Sequence, residues 1–346
     1  MRVLMVGPDR SVHGGISGVV NNYYDAGLDK KIDLCYIGTM VEGSKIRKMI
    51  QAVIAYFRFL WKVPRYEIVH VNMASDTSYM RKSFFIRTAK VFHKKIVIHQ
   101  HGGDFEGFYN RQLGDKGRKK VKKILSMGDA FLVLAPPFKD FFGRIIDKNK
   151  ITVLPDAIQV PLPIAKEYGQ HRLLFLGRIC KAKGIEELLE SMPVLKEKFP
   201  DVKLYIGGIF EEQELQKKVE ELSGLVEWIG WVTGEEKEKY LRKCDVFVLP
   251  SYFEGQSVSI LEAMSHSCTV VASRIGGIPQ MIEDGETGIL VEPKNAESLR
   301  QGLEKALADS TLCERLGKTA RKKVAEEFSI EKNMEQLLGI YEAVWR

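Results

Sequence analysis

Short runs of β-branched and apolar residues alternate with longer stretches of helical period along all 346 residues of the chain. In the first half the runs are Arg2–Val6, Ile32–Tyr36, Glu67–Val71, Lys95–Gln100, Asp129–Leu134 and Ile151–Leu154. The last four are apolar almost throughout, as expected of strands covered on both faces of a parallel sheet. The second half restarts the rhythm with Arg172–Leu176, Val202–Ile206, Val226–Ile229, Asp245–Leu249, Thr269–Ala272 and Gly288–Val291. Helical stretches such as Ile185–Phe199 and Glu211–Leu222 separate them. Two rounds of this alternation predict an α/β fold of two doubly wound, Rossmann-like domains. Their expected extents are 1–165 and 166–329, with a terminal helix over about 330–346 packing back on the first. Pro155, Pro161 and Pro163 crowd the boundary segment Pro155–Gly169, which suits neither a helix nor a central strand. Ligands of open parallel sheets bind beyond the carboxyl ends of the strands, so the site is expected in a cleft where two such edges face each other.

Composition changes this picture only at its margins. Hydrophobic residues make up 45% and charged residues 28%, which suits a globular protein and argues against disorder or a fibrous repeat. No apolar stretch reaches the roughly 20 residues of a spanning helix, and Met1-Arg2-Val3-Leu4 opens straight into a strand-like run. The expectation is a cytoplasmic protein, with the inner face of the cell membrane as its furthest reach. Five cysteines form no CxxC pair and read as buried thiols. The net charge of +7 is unevenly spread: residues 1–170 hold 28 Lys+Arg against 15 Asp+Glu, whereas residues 171–346 hold 24 against 30. An anionic membrane, a nucleic acid or a phosphate-bearing substrate would each explain a basic first half.

The segments that follow strands carry the candidate chemistry. After the first run, Gly14-Gly15 stand at a helix start, where free N–H groups and the helix dipole can meet an anion. The spacing is not GxGxxG, which disfavours a nicotinamide-dependent oxidoreductase, and a plain tight turn reads equally well. After the fourth run comes His99-Gln100-His101-Gly102-Gly103-Asp104, with His101 nearer the cleft and His99 toward the layer of helices. A structural histidine is the alternative for His101. After the first run of the second half, Arg178 and Lys183 flank a turn that feeds a helix. Such a pair can hold a diphosphate, through a bidentate fork and a point charge, or be no more than a solvated basic turn.

The strongest signal is the segment Pro250-Ser251-Tyr252-Phe253-Glu254-Gly255-Gln256-Ser257-Val258-Ser259-Ile260-Leu261-Glu262. Glu254 sits in a loop and Glu262 inside the helix that follows. Eight residues at 100° each would separate them by about 80° on one helix, so the loop must bend Glu254 back toward the cleft. Between them, Gly255 to Ser259 offer free N–H groups at a helix start, a seat for phosphate oxygens. Two acids beside an anion seat suggest a sugar nucleotide. The plainer reading is an acid pair that stabilises the helix dipole, worth about 0.3–1 kcal/mol each.

Taken in order, Phe175-Leu176-Gly177-Arg178, Lys183-Gly184, Glu254-x7-Glu262-Ala263-Met264, Gly276-Gly277-Ile278-Pro279 and Asp284-Gly285-Glu286-Thr287-Gly288 resemble the retaining glycosyltransferases of family four, which have the two-domain GT-B fold. The first half matches more weakly, through Gly14-Gly15 and His101-Gly102. The resemblance implies that Arg178 and Lys183 bind the donor diphosphate and stabilise the leaving nucleotide without a metal or other cofactor. It implies that Glu262 holds the ribose hydroxyls and that Glu254 lies by the donor sugar, with backbone N–H groups of Gln256, Ser257 and Val258 on phosphate or sugar oxygens. Gly15 would meet the phosphates, His101 the transferred sugar, and Trp231-Val232 the base. The absence of any Asp-x-Asp pair agrees with metal independence. Gln256-Ser257 replaces the Phe-Gly or similar pair common in the family, so sugar selectivity is not carried over.

The expected reaction is therefore retaining transfer from a nucleotide sugar, UDP-linked first and GDP-mannose second, to a glycan or lipid-linked acceptor in surface-polysaccharide synthesis. Two basic segments bear on a peripheral membrane contact. Arg47–Val63 places Arg47, Gln51, Arg58 and Lys62 within about 60° of arc, apart from Ile50, Val53, Ile54, Phe57 and Leu60. It reads first as an ordinary crossover helix buried on the sheet, and second as a monotopic anchor. The cluster Arg118-Lys119-Lys120-Val121-Lys122-Lys123 has the better claim to an anionic leaflet. A nucleotide-sugar 2-epimerase of the same architecture is the alternative, though Glu254-x7-Glu262 suits it less. A nucleic-acid-binding protein is disfavoured because aromatics are not interleaved with the basic runs.

Overall fold

A computed structural model describes every residue of the chain except Gly103 and Ile164. Gly103, the second glycine expected behind His101, thus lies outside the described residues. The chain forms two compact units, one of Met1–Gln159 with Ile330–Arg346 and one of Val160–Ser329.

The first unit is built on six parallel strands, β1 (Arg2–Gly7), β2 (Asp33–Gly38), β3 (Ile68–Met73), β4 (Lys95–Gln100), β5 (Ala130–Val133) and β6 (Ile151–Val153), in the order β2-β1-β3-β4-β5-β6. Every residue of β3 and β5 is buried, including the polar His70 and Asn72 at alternate positions of β3. The chain departs from β1 first to β2 and then, on the other side, to β3, so the switch of direction lies between β1 and β3. The final helix, Ile330–Trp345, closes this unit with Met334, Leu337 and Tyr341 buried. Tyr23 donates to Asn333 Oδ1 at 2.6 Å, and the Tyr341 hydroxyl lies 2.5 Å from His70 Nδ1.

Two helices of this unit dispose their apolar residues in opposite ways. Lys45–Lys62 is not a buried crossover helix: of its eighteen residues only Ala55 and Phe59 are buried. Ala55 and Phe59 turn inward to the core, the Gln51 amide donates to the Gly38 carbonyl at 2.7 Å, and the apolar stripe of Met49, Val53 and Phe57 turns out. The lysine-rich helix Asp115–Leu125 does the opposite and buries its apolar residues Val121, Ile124 and Leu125. Among the described residues, no helix is long and apolar enough to cross a membrane.

The second unit repeats the scheme with β7 (Arg172–Leu176), β8 (Lys203–Gly207), β9 (Val226–Trp228), β10 (Val246–Leu249), β11 (Thr269–Ser273) and β12 (Ile289–Val291), all parallel, in the order β12-β11-β10-β7-β8-β9. Each of the twelve expected runs overlaps a strand. Here the chain first moves outward through β8 and β9, then returns to the far side of β7, so the crevice of the sheet lies beyond the ends of β7 and β10. All five cysteines are free thiols, four of them buried.

Candidate functional site

The segments leaving β7 and β10 are those that carry Arg178, Lys183 and Glu254, and glycine is what lets them approach. Gly184 has φ +68°, and a Cβ there would stand 2.0 Å from the Pro250 carbonyl oxygen. The contact is fastened by the Tyr252 N–H, which donates to the Ala182 carbonyl at 2.9 Å. A third segment, after β11, closes on the same loop: Gly276 has φ +53°, and a Cβ on it would lie 1.8 Å from the Glu254 carbonyl oxygen. Any larger residue at either position would push apart the loops that present the charges.

Within this frame each expected charge has a partner. Lys183 Nζ lies 2.5 Å from Glu254 Oε1, which also accepts from Ser251 Oγ at 2.9 Å. Both side chains are largely shielded, at 26% and 10% exposure. Arg178 is more open and pairs with Glu211 Oε1 at 2.8 Å. Glu262, in the helix Val258–Ser265, accepts from Lys237 Nζ at 2.6 Å. Half-exposed ion pairs are worth only about 0–1 kcal/mol, so Arg178 can exchange Glu211 for a phosphate at little cost. Sequence reasoning missed Glu211, Lys237 and Ser251. The first two come from outside the motifs, whereas Ser251 stands only three residues before Glu254.

The remaining residues expected to meet the donor fall around the same sheet edge. Gln256 and Ser257 are buried, and extended backbone at Ser257 leads into the helix beginning at Val258. The Ser257 carbonyl already accepts from Ile260 and Leu261 N–H, which orients the first turn. Val232 is buried and Trp231 partly exposed, just after β9, and Gly208 N–H donates to Gly230 O at 2.7 Å to hold that loop against the end of β8. Tyr252 donates its hydroxyl to Glu187, and burial together with that carboxylate holds the phenol above its usual range.

In the first unit Gly15 opens the helix Gly15–Asp25 and is exposed, preceded by extended Gly14. His101 is buried after β4, with Nε2 at 2.9 Å from Asn72 Oδ1 and Nδ1 at 3.3 Å from Asp156 Oδ1. His99 stacks on it, ring centroids 3.9 Å apart, and His70 follows at 5.5 Å from His99. Burial, then the neighbouring His101, pushes His70 down to about 3, and the same causes hold His99 well below its usual range. Among the described residues, His99, His101 and Asp156 bring three metal-capable donor atoms within 4.8 Å of one another. Asn72 and Asp156 already engage the His101 ring.

A family model described as glycosyl transferases group 1 matches residues 163–323, nearly the whole second unit. That segment is similar to the glycosyl transferases group 1 family, and the chain's two doubly wound units are those of the GT-B fold. It is 32% identical over 181 residues to an uncharacterised glycosyltransferase of Methanocaldococcus jannaschii, covering 51% of this chain and 46% of that protein. It is likewise 32% identical over 205 residues to the phosphatidyl-myo-inositol mannosyltransferase of Mycolicibacterium smegmatis, covering 55% and 52%. The chain thus spans about half the length of these curated relatives. Among solved structures, sucrose-phosphate synthase of Thermosynechococcus elongatus matches with a TM-score of 0.83 at 20% identity over 99% of both chains. Anabaena HepE, solved in complex with UDP, matches at 0.78 with 13% identity over 99% and 100%.

Proposed function

We propose that the chain is a retaining glycosyltransferase that moves a sugar from a nucleotide-sugar donor, UDP-linked first and GDP-mannose second, to a glycan or lipid-linked acceptor in surface-polysaccharide synthesis. One observation carries this reading: the crevice beyond β7 and β10 gathers Lys183, Glu254 and Ser251 within hydrogen-bonding distance, in a segment similar to the glycosyl transferases group 1 family. A Staphylococcus aureus relative, CapM, 29% identical over 58% of this chain and 57% of its own length, is named as a capsular polysaccharide biosynthesis glycosyltransferase, which supports the acceptor class.

As the bond from the sugar to the diphosphate breaks, the sugar carbon gains oxocarbenium character and the diphosphate gains charge. Donors aimed at that charge supply the largest catalytic contribution, and Lys183 and Arg178 fill that role by releasing Glu254 and Glu211. Glu254 then lies beside the sugar. Glu262, oriented by Lys237, accepts from the ribose hydroxyls, the amides of Gln256, Ser257 and Val258 meet phosphate or sugar oxygens, and the base rests near Trp231 and Val232. In the first unit, Gly15 N–H serves a phosphate and His101 the transferred sugar. Attack from the face of departure retains configuration and needs no protein nucleophile, and two cations in place of a divalent ion make the reaction metal-independent.

A thermal-shift panel of nucleotide sugars tests the donor, since a ligand stabilises the fold by its binding to the native state. UDP-sugars should raise Tm in the wild type and much less in Lys183→Ala or Glu262→Ala. Transfer insensitive to EDTA, with the anomeric configuration of the product read by NMR, tests the remainder. No shift with any nucleotide sugar would defeat the proposal, and an epimerised donor without acceptor product would replace it with 2-epimerisation.

A further inference from the structure

The helix Lys45–Lys62 exposes seven large apolar side chains, Ile46, Met49, Ile50, Val53, Ile54, Phe57 and Trp61, six of them more than half accessible. At 100° per residue they fill about 140° of its circumference, centred opposite the buried Ala55 and Phe59. Amphipathic helices of globular proteins put that stripe inward. This one points it away from the sheet, while Ala55 and Phe59 turn inward and Gln51 meets β2. The neighbouring helix Asp76–Val91, joined to it by a Tyr56–Thr88 hydroxyl contact of 2.7 Å and a Phe59–Phe85 edge contact of 5.0 Å, exposes Met80, Phe84 and Val91 as well. Contiguous apolar surface of this kind marks an interaction site.

The charges around the stripe select the occupant. From Gly43 to Tyr66 the chain has no Asp or Glu, while Arg47, Arg58 and Lys62 border one edge of the stripe. Trp61 closes its end, with the Arg65 guanidinium 4.5 Å from the ring centroid. A second copy of this face would bring cation against cation. A bilayer surface supplies apolar depth beneath an anionic layer, the environment in which a helix lies flat with its cations at headgroup level.

We propose that this face seats the first unit on an anionic membrane, with Lys45–Lys62 lying in the interface plane. The surface is distinct from the residues assigned to transfer and stands whether or not the chain moves a sugar. The lysine-rich helix Asp115–Leu125 has no comparable role, because its apolar residues are buried and it offers charge alone.

The test is sedimentation of the full chain with vesicles of phosphatidylcholine alone or of equal parts phosphatidylcholine and phosphatidylglycerol. Binding should favour the anionic vesicles, weaken with salt, and fall about tenfold or more in Ile50→Glu with Phe57→Glu. Far-ultraviolet circular dichroism and Tm should stay at wild-type values, since both side chains are exposed. The milder Phe57→Ser gives a second readout should the double variant fold poorly. Failure to bind anionic vesicles overturns the proposal. So does binding indifferent to these variants, or a dimer in solution that the same variants dissolve without any vesicle binding.

Discussion

The two units share six parallel strands, a switch point and a layer of helices, yet differ in what they place there. At the crevice of the second unit stand paired charges on loops clamped by Gly184 and Gly276, with outer helices that are polar toward solvent. Beside β3 and β4 of the first unit stand stacked, buried histidines, and one outer helix turns its apolar side outward. The scaffold fixes only the strands and their buried faces. Strand-following loops and helix exteriors are free to diverge, and that is where the units part.

The largest effect should come from the second unit's cations. Lys183→Ala or Arg178→Ala should lower the transfer rate by about 10²–10³-fold with the fold intact, measured as kcat with a saturating donor. Equal turnover in the variants would leave the second unit with no catalytic distinction from the first. Next, Glu262→Ala should weaken donor binding by about 10–100-fold, the effect of losing hydrogen bonds to a charged acceptor, visible in KM more than kcat. Gly276→Ala should cost about 2 kcal/mol or more, through the left-handed backbone and the clash with the Glu254 carbonyl, and should lower Tm along with activity. The corresponding change at Gly15, whose Cβ direction is open, should leave Tm unchanged.

A response to acid is specific to the first unit. His70 and His99 are held neutral in the fold, while in the unfolded chain they titrate near 6.5. Protons then bind the unfolded chain more readily, so their contribution is complete above about pH 6.5 and is lost as pH falls toward the folded value, about 3 for His70. The loss is about 1.4 kcal/mol per pH unit for each fully buried ring. Thermal unfolding between pH 7.5 and 5.5 should show the decline, and His99→Gln should flatten it.

The strands were legible because each is an apolar run bounded by turn residues. Their order was not, since nothing in a run states its neighbour. Arg178, Lys183, Glu254 and Glu262 were legible by spacing and by their place after strands. Glu211 and Lys237 were hidden because they come from other segments that only strand order brings near. Asn72 and Asp156 were hidden from His101 for the same reason. In Lys45–Lys62 the period revealed two faces, but no period says which one turns inward. The inward side is the one carrying Ala55 and Phe59, which join the core, while the longer apolar stripe stays outside.

Calorimetric titration of UDP, with GDP beside it, into the full chain tests most directly that the second unit's crevice grips a nucleoside diphosphate. One saturable site is expected, weakened at least about tenfold by Lys183→Ala and by Glu262→Ala and unchanged by Phe57→Ser. No binding of either nucleotide, or equal affinity in wild type and both crevice variants, would contradict it.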